Sequence, residues 1–504
     1  MKQIEKHLKK YNEVNEKIRA FKFFGFITGW DSQTEAPKNC FDTRAKYLGV
    51  LSEEMYKLST NEEYEAAALY LNEHKKELEP WLAREVEKRA RDISDTKKIP
   101  MEEYVEYEKL MAVSENKYFE CKVNNDFASF APYLEKIVAW HKKLIGWLST
   151  KERKGYDILL DKYEEGFTES DYDKFFDVLK VKLVPFVKKV TPLKLKYDDG
   201  FLKEKYPAAL QEDFCKYLQG VMNFDMTRGV MKKSEHPFTT GVDTQDVRFT
   251  VHYYEDNFLS AIYSAIHEMG HGTYEQQVET KFDDTLSGGG VSLGMHESQS
   301  RFYENIIGRS YVFWKAHLPA LKERFPKQLK DVSAEDMLKA VNTSRASFVR
   351  VEADELTYPL HIMLRYDMEK MFITGDLKVV DFPQAWNKLM REYLGLEVKS
   401  DKQGVLQDVH WAGGMIGYFP TYALGSAYAA QLYHKMRQEI DVDKIIASGN
   451  LKEINNWLKE KVHRFGASKS PKEILKDATG EDFNPDYYVN YLIDKYSKVY
   501  GIKA

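Results

Sequence analysis

The sequence predicts a mainly α-helical fold with a small β-sheet, and three observations lead there. Over long stretches apolar residues recur every three or four positions with charges between them, the pattern of amphipathic helices. Proline, which interrupts helices, supplies only 15 of the 504 residues. A single segment alternates in the way a half-buried strand does.

The helical pattern is plainest from Glu102 to Val123, Asp171 to Val184 and Asp381 to Tyr393, and the first 150 residues or so hold little else. The alternating segment is Asp246 to Tyr253, DVRFTVHY. There Val247, Phe249, Val251 and Tyr253 take one face and Arg248, Thr250 and His252 the other. Between His236 and Tyr422 lie the clusters of polar residue types that chemistry needs. No internal repeat, low-complexity tract or Gly/Ser linker marks a boundary, so the chain reads as one unit over 1–504. Within it, a helical N-terminal cover of about 150 residues precedes a catalytic part from 151 to 504.

Composition excludes several function classes. Hydrophobic residues at 43% and charged residues at 30% describe a folded interior under a charged surface. The 74 basic and 79 acidic side chains are interspersed and leave a net charge of -5, which offers no basic footprint to nucleic acid. Cys40, Cys121 and Cys215 are too few and too scattered for a disulfide framework or a thiolate metal site, and they suit a reducing compartment. The apolar run FKFFGFITGW is too short and interrupted for a signal or a membrane span, so a cytoplasmic location without membrane contact is expected.

The strongest chemical signal lies in Phe258 to Gln277, FLSAIYSAIHEMGHGTYEQQ, where Ile262, Ile266 and Met269 mark an apolar helical stripe. His267 and His271 stand four apart and project from one side of that helix, so both imidazoles reach a single ion. Glu268 points about 100° away, beside the ion, where it can accept a proton from water. A catalytic zinc wants three protein ligands and an open position. Glu275 shares the histidine face, but ligands strung over two turns of one helix span about 12 Å and do not converge. A second segment must therefore return to the site. Ser287-Gly288-Gly289-Gly290 is a natural reversal, and GMHESQSRFYENIIG then opens another helical pattern with His296 and Glu297 near its start. Spacing alone does not choose between His296 and Glu297. The extended pattern with a glycine three residues and a third histidine six residues after the second histidine is excluded by Tyr274 and Gln277.

Further motifs surround this one: His236-Pro237-Phe238, Asp246 to Thr250 (DVRFT), His296 to Gln299 (HESQ), Val349 to Asp354 (VRVEAD) and Gly404 to Trp411 (GVLQDVHW). With Trp30 to Pro37 (WDSQTEAP) and Arg44-Ala45 near the start, the chain resembles the carboxypeptidase Taq family of thermostable metallocarboxypeptidases along nearly its whole length. His252 stands where many members carry Arg. The resemblance implies an elongated multi-helix fold with a deep substrate groove, a small sheet near the metal helix and one divalent ion per chain, zinc or cobalt. It also implies release of C-terminal residues from peptides, and a homodimer. By the family pattern His267, His271 and Glu297 are the metal ligands and Glu268 the general base. That leaves His296 to the substrate or to the surroundings of the ligands.

A carboxypeptidase must hold a terminal carboxylate, and a planar guanidinium does so better than an ammonium. Arg350 and Arg248 are the candidates because both sit in family motifs, with Arg350 preferred. The run from His410, HWAGGMIGYFPTYALG, suits a loop lining a groove. It is similar to a stretch of related helical zinc peptidases in which a tyrosine twelve residues after such a histidine donates to the oxyanion. Here that tyrosine is Tyr422, with Tyr418 as the alternative, and His236 and His410 are assigned to the substrate pocket. The competing readings are an endopeptidase using the same helix, and a peptide-binding protein with a structural ion. A glutamate between the histidines argues against the latter.

Overall fold

The computed structural model describes residues 2–503, and helices dominate it. The helix expected over Glu102 to Val123 runs Met101–Asn124, and that expected over Asp381 to Tyr393 runs Phe382–Leu394. The stretch from Asp171 to Val184 is not one α-helix. It falls into Glu169–Val178, a π-helical turn Leu179–Leu183, and Val184–Val190. Pro185 supplies the reason, because its ring lacks an N–H and crowds the carbonyl four residues back, so the ladder widens ahead of it.

The sheet has three strands, β1 (Gly229–Lys233), β2 (Thr239–Asp243) and β3 (Asp246–Val251), in the order β1-β3-β2. β3 lies between its partners, parallel to β1 and antiparallel to β2. It is the alternating segment, cut short at Val251, and its Val247, Phe249 and Val251 are fully buried. Thr250, on the other face, is buried too, where its hydroxyl is hydrogen-bonded to Ser234 Oγ and accepts from the Phe238 N–H.

Buried apolar side chains form two clusters. The smaller contains Tyr11, Val14, Ile18, Tyr64, Leu71, Leu82, Val86 and Ile93 of the N-terminal helices; the larger runs from Tyr118 to Tyr496. Polar links tie the N-terminal helices to the rest. Arg84 donates to both oxygens of Glu165 at 2.9 and 2.7 Å, and Glu85 accepts from Leu286 N and Ser287 Oγ.

Two elements carry the histidines and Glu297. The helix Phe258–Gln277 spans the residues its periodicity predicts, and the chain then reverses through Ser287 to Gly290. The next helix, Leu293–Arg301, is capped by Ser292, whose Oγ accepts from Met295 N at 3.1 Å. It continues as a π-helical turn, Phe302–Ile307. A third helix, Pro420–Glu439, lies against it. The run from His410 to Phe419 is a loop, but Tyr422 belongs to the first turn of the helix that Pro420 opens.

Two buried carboxyls pin these segments. Glu164 accepts from Ser292 Oγ and Gly294 N, both at 2.9 Å. Glu369 accepts from Tyr156, from Trp411 Nε1 at 2.7 Å and from Gly417 N at 2.7 Å, and so holds the loop that follows His410. Burial pushes the Glu369 carboxyl up from 4.5 to about 7, against the pull of these donors. A carboxyl raised in the folded state favours folding while protonated. Its contribution is therefore complete below the unfolded value and lost as pH climbs through the folded one. Glu369→Gln removes that loss, so its melting temperature should gain on the wild type between about pH 5 and about pH 8. A gap that does not change with pH would refute this account of Glu369.

Candidate active site

The two histidines and Glu297 meet by helix geometry. His267 and His271 project one turn apart from Phe258–Gln277, and Leu293–Arg301 returns Glu297 in front of them. Glu297 Oε2 lies 3.7 Å from His267 Nε2 and 3.5 Å from His271 Nε2, and the three donor atoms all fall within 4.8 Å of one another. Donors bound tetrahedrally to one zinc at 2.0 to 2.2 Å sit about 3.4 Å apart, so this set fits such an ion. His296, the alternative by spacing, turns away from Glu297 toward Glu275 and His271 Nδ1.

His267 and Glu297 are each oriented from behind. His267 Nδ1 lies 2.9 Å from Glu304 Oε2, which leaves Nε2 to face the cluster. Glu297 gives its other oxygen to Arg301 Nε at 2.7 Å. Glu304 also accepts from Arg301 and from Arg309 Nη2 at 2.9 Å. Burial opposes the charge of Glu297, but Arg301, His267 and His271 outweigh it and hold the carboxyl well below its usual range. Glu268 points beside the cluster as its helical offset requires. It is buried, and its Oε2 accepts from Thr239 Oγ1 of β2 at 2.6 Å.

A second polar group adjoins this one through Tyr358. The Arg301 guanidinium lies over the Tyr358 ring at 4.8 Å, and Arg350 Nη1 donates to the Tyr358 hydroxyl at 3.3 Å. Arg350 stands in a short 3-10 turn, Arg350–Glu352, and is 8% exposed. Its partner is Asp408, reached from Nε at 3.0 Å and Nη2 at 2.9 Å, and not Asp354, which ties down Ser344 and the backbone of Arg345. The other Asp408 oxygen takes Arg365. Among the described residues Asp408 is the only carboxylate in ion-pair contact with either guanidinium, so two cations share one anion. Tyr422 packs under Arg350 at 5.2 Å, and its hydroxyl is 3.4 Å from His410 Nε2. Burial lowers His410 to about 4, leaving it neutral, and its Nδ1 is buried without a hydrogen-bond partner.

The remaining candidates stand apart from this continuous group. Arg248 is gripped by Asp246 at 2.7 and 2.6 Å and lies over Phe26 and Trp30. With Trp30, Asp31 and Arg44 it lines a cleft of about 560 Å³. His236 is exposed, and its carbonyl accepts from Ser234 Oγ. Sequence reading missed Arg301, Glu304, Tyr358 and Arg365. Arg301 and Glu304 carry a signal, since they follow Glu297 at the four- and seven-residue spacing of one helix face. Arg365 carries another, a lone cation inside the apolar run YPLHIMLRY, with no exposed surface.

The profile of the carboxypeptidase Taq (M32) metallopeptidases matches residues 7–496. The chain belongs to this family. Carboxypeptidase 1 of Bacillus subtilis (strain 168) is 40% identical to it over 99% of both chains. Thermostable carboxypeptidase 1 of Pyrococcus furiosus is 37% identical over 93% of this chain and 94% of the relative. The crystal structure of the M32 carboxypeptidase from Deinococcus radiodurans R1 superposes with a TM-score of 0.94 at 32% identity, covering 99% of this chain and 100% of that one. This M32 member is accordingly a metallocarboxypeptidase, a peptide hydrolase that works with a divalent metal. No helix among the described residues is long and apolar enough to cross a membrane.

The packing around Glu297 predicts how the site breaks. A Cβ at Gly425 would fall 2.7 Å from Glu297 Cβ and 3.0 Å from the Gly294 carbonyl, contacts that only a shift of the Glu297 helix relieves. Gly425→Ala should cost about 1–3 kcal/mol of stability, as overpacking does, and weaken metal binding as well. Gly220→Ala is the control, because Gly220 is helical and meets nothing within 4 Å. That variant should be neutral or more stable by about 0.4–1 kcal/mol. Equal melting temperatures for the two variants would contradict the close approach.

Proposed function

We propose that this metallocarboxypeptidase holds a single zinc ion through His267, His271 and Glu297 and hydrolyses the last peptide bond with Glu268 as general base. The observation that carries the reading is the convergence of the three donor atoms within 4.8 Å beside a buried carboxylate on the same helix. Two imidazoles and a carboxylate suit zinc, and cobalt by the same ligand types. Such an ion supplies Lewis-acid polarisation of the scissile carbonyl and makes a water molecule easier to deprotonate. Glu268, steadied by Thr239, takes a proton from the attacking water and returns it to the amine as the C–N bond breaks. Burial drives the Tyr422 phenol above its ordinary range, so it stays protonated and donates to the carbonyl oxygen as charge develops there.

The substrate carboxylate goes to Arg350. Arg350 and Arg365 leave one positive charge unmatched by Asp408, and a free C-terminus is the anion that balances it. His410, neutral and with an unpaired buried nitrogen, serves as a further polar contact to the substrate. Arg248 pairs across the sheet with Thr240, the neighbour of Thr239. From there it, with His236, contacts substrate farther from the scissile bond. A cytoplasmic homodimer acting on peptides completes the reading. The unpaired state of all three cysteines suits a reducing compartment.

The roles of metal and base separate in one experiment. Exhaustive chelation should abolish peptide cleavage, and Glu268→Gln should keep the metal while losing about 10² to 10⁴ in turnover. A variant that loses its metal instead would make Glu268 a ligand, and full activity of verified metal-free protein would remove the ion from the reaction.

Arg350→Ala tests the exopeptidase assignment. Losing one partner of a buried charge pair costs about 2 to 5 kcal/mol, and each 1.4 kcal/mol is about tenfold. Efficiency on peptides with a free C-terminus should fall by well over about tenfold, with metal content unchanged. Cleavage of C-terminally amidated peptides, already slow, should change much less. Equal losses on both substrates would make Arg350 a support of the fold and pass the carboxylate to Arg248.

A further inference from the structure

The two histidines are braced in different ways. His267 leans directly on the Glu304 carboxylate at 2.9 Å. His271 does not touch a carboxylate through its outer nitrogen. Its Nδ1 lies 2.7 Å from Nδ1 of His296, whose Nε2 lies 2.6 Å from Glu275 Oε1. Glu275 Oε1 accepts in turn from Gly290 N at 3.0 Å. Side-chain packing holds this row in place. A Cβ at Gly290 would meet His296 Cδ2 at 2.5 Å, so the bare backbone of the reversal lies against the ring, with Tyr274 beside it at 5.2 Å between centroids.

Only one pattern of protons satisfies the row. His271 must keep Nε2 free of hydrogen to face Glu297 and an ion, so its hydrogen is on Nδ1 and points at His296. His296 Nδ1 must then accept, which puts the His296 hydrogen on Nε2, directed at an oxygen that only accepts. The carboxylate at the end of the row thus determines the tautomer at its start.

We infer that His296 and Glu275 form a positioning relay for the metal: Glu275 fixes the tautomer of His296, and His296 orients His271 and strengthens its free nitrogen as a donor. The inference rests on the reading of His271 as a ligand, and it gives a task to Glu275, which shares the ligand face of the helix yet lies too far along it to reach the ion. His296 and Glu275 are positioning residues, since neither reaches the ion or the reacting atoms in this arrangement.

The test is zinc affinity of the apoprotein, measured by competition with a chromophoric chelator and paired with melting of each apo variant. His296→Leu removes the acceptor and should weaken zinc about 10- to 100-fold, as loss of a partner behind a ligand does. His296→Asn places an amide oxygen where Nδ1 was and should recover most of the affinity. Glu275→Gln, of the same shape, should fall between, because its amide can turn either an acceptor or a donor toward His296. Wild-type and Glu275→Gln affinities within about twofold of each other, with folding intact, would overturn the relay even if His296→Leu does not fold. Equal losses in His296→Leu and His296→Asn would also overturn it, since ring packing and not the accepted proton would then matter. An apo wild type that takes up no zinc would overturn the metal site itself, and the relay with it.

Discussion

Everything at this site depends on bringing donor atoms of two helices to one point, which requires the helices to touch almost backbone to backbone. A Cβ at Gly270 would fall 2.8 Å from Ser300 Cα and 3.0 Å from the Gln299 carbonyl, so the histidine helix and the Glu297 helix meet at a position only glycine fits. At Gly425 the helix Pro420–Glu439 comes equally close and presses on Glu297 itself. The helix that carries Glu297 is thus held against both neighbours at glycine contacts. The reversal joining the first two helices is pinned by three carboxyls: Glu85 at Ser287, Glu275 at Gly290 and Glu164 at Gly294. Burying so many acids is costly unless each is paired or bonded to donors.

The pairing has a pattern. Around the candidate donors, Glu297 and Glu304 alternate with Arg301 and Arg309, so two anions face two cations. Beyond Tyr358 the balance is broken, since Arg350 and Arg365 share Asp408. One aromatic side chain, Tyr358, thus separates a balanced group from one short of an anion. On the proposed mechanism this spacing decides which bond is cut: a peptide whose carboxylate neutralises Arg350 presents its last amide toward the ligands. On that mechanism, selectivity for the chain end follows from charge.

How far the sequence discloses this arrangement depends on the distance over which each signal acts. Local periodicity suffices for the helix Phe258–Gln277, found over the residues expected, and for β3. It fails for β1 and β2, because GVMKK and TTGVD carry lysines, threonines and glycines in place of alternation and exist only through pairing with β3. It fails also at Pro185, where helical spacing continues but the hydrogen-bond ladder does not. In the site, His267, Glu268 and His271 declare themselves within five residues. Glu297 needs the family pattern to be preferred over His296. Asp408 reaches Arg350 and Arg365 across 58 and 43 positions, a closure no spacing rule announces. Thr239 is equally silent: a threonine on a strand gives no hint that it will bond to Glu268, 29 residues on.

The π-helical turn after Glu297 shows how a local irregularity serves the long-range design. From Glu297 to Arg301 the helix is regular, and Arg301 returns to Glu297 at the four-residue spacing. Had the helix continued so, Gly308 would follow Glu304 at the position that faces it. Instead the turn Phe302–Ile307 widens the ladder, with Gly308 N bonded to the Tyr303 carbonyl five residues back. With the same five-residue step Arg309 swings onto Glu304, while its guanidinium also covers the Tyr263 ring at 3.9 Å. The extra residue thus supplies a second cation to the carboxylate that orients His267. Glu304 has Arg301 and Arg309 to offset its burial, so it can remain ionised behind His267, which on the proposed reading binds the ion as a neutral imidazole. A regular helix would leave Glu304 with one cation, and a carboxylate so placed would compete for the proton that His267 holds on Nδ1 in the proposed reading.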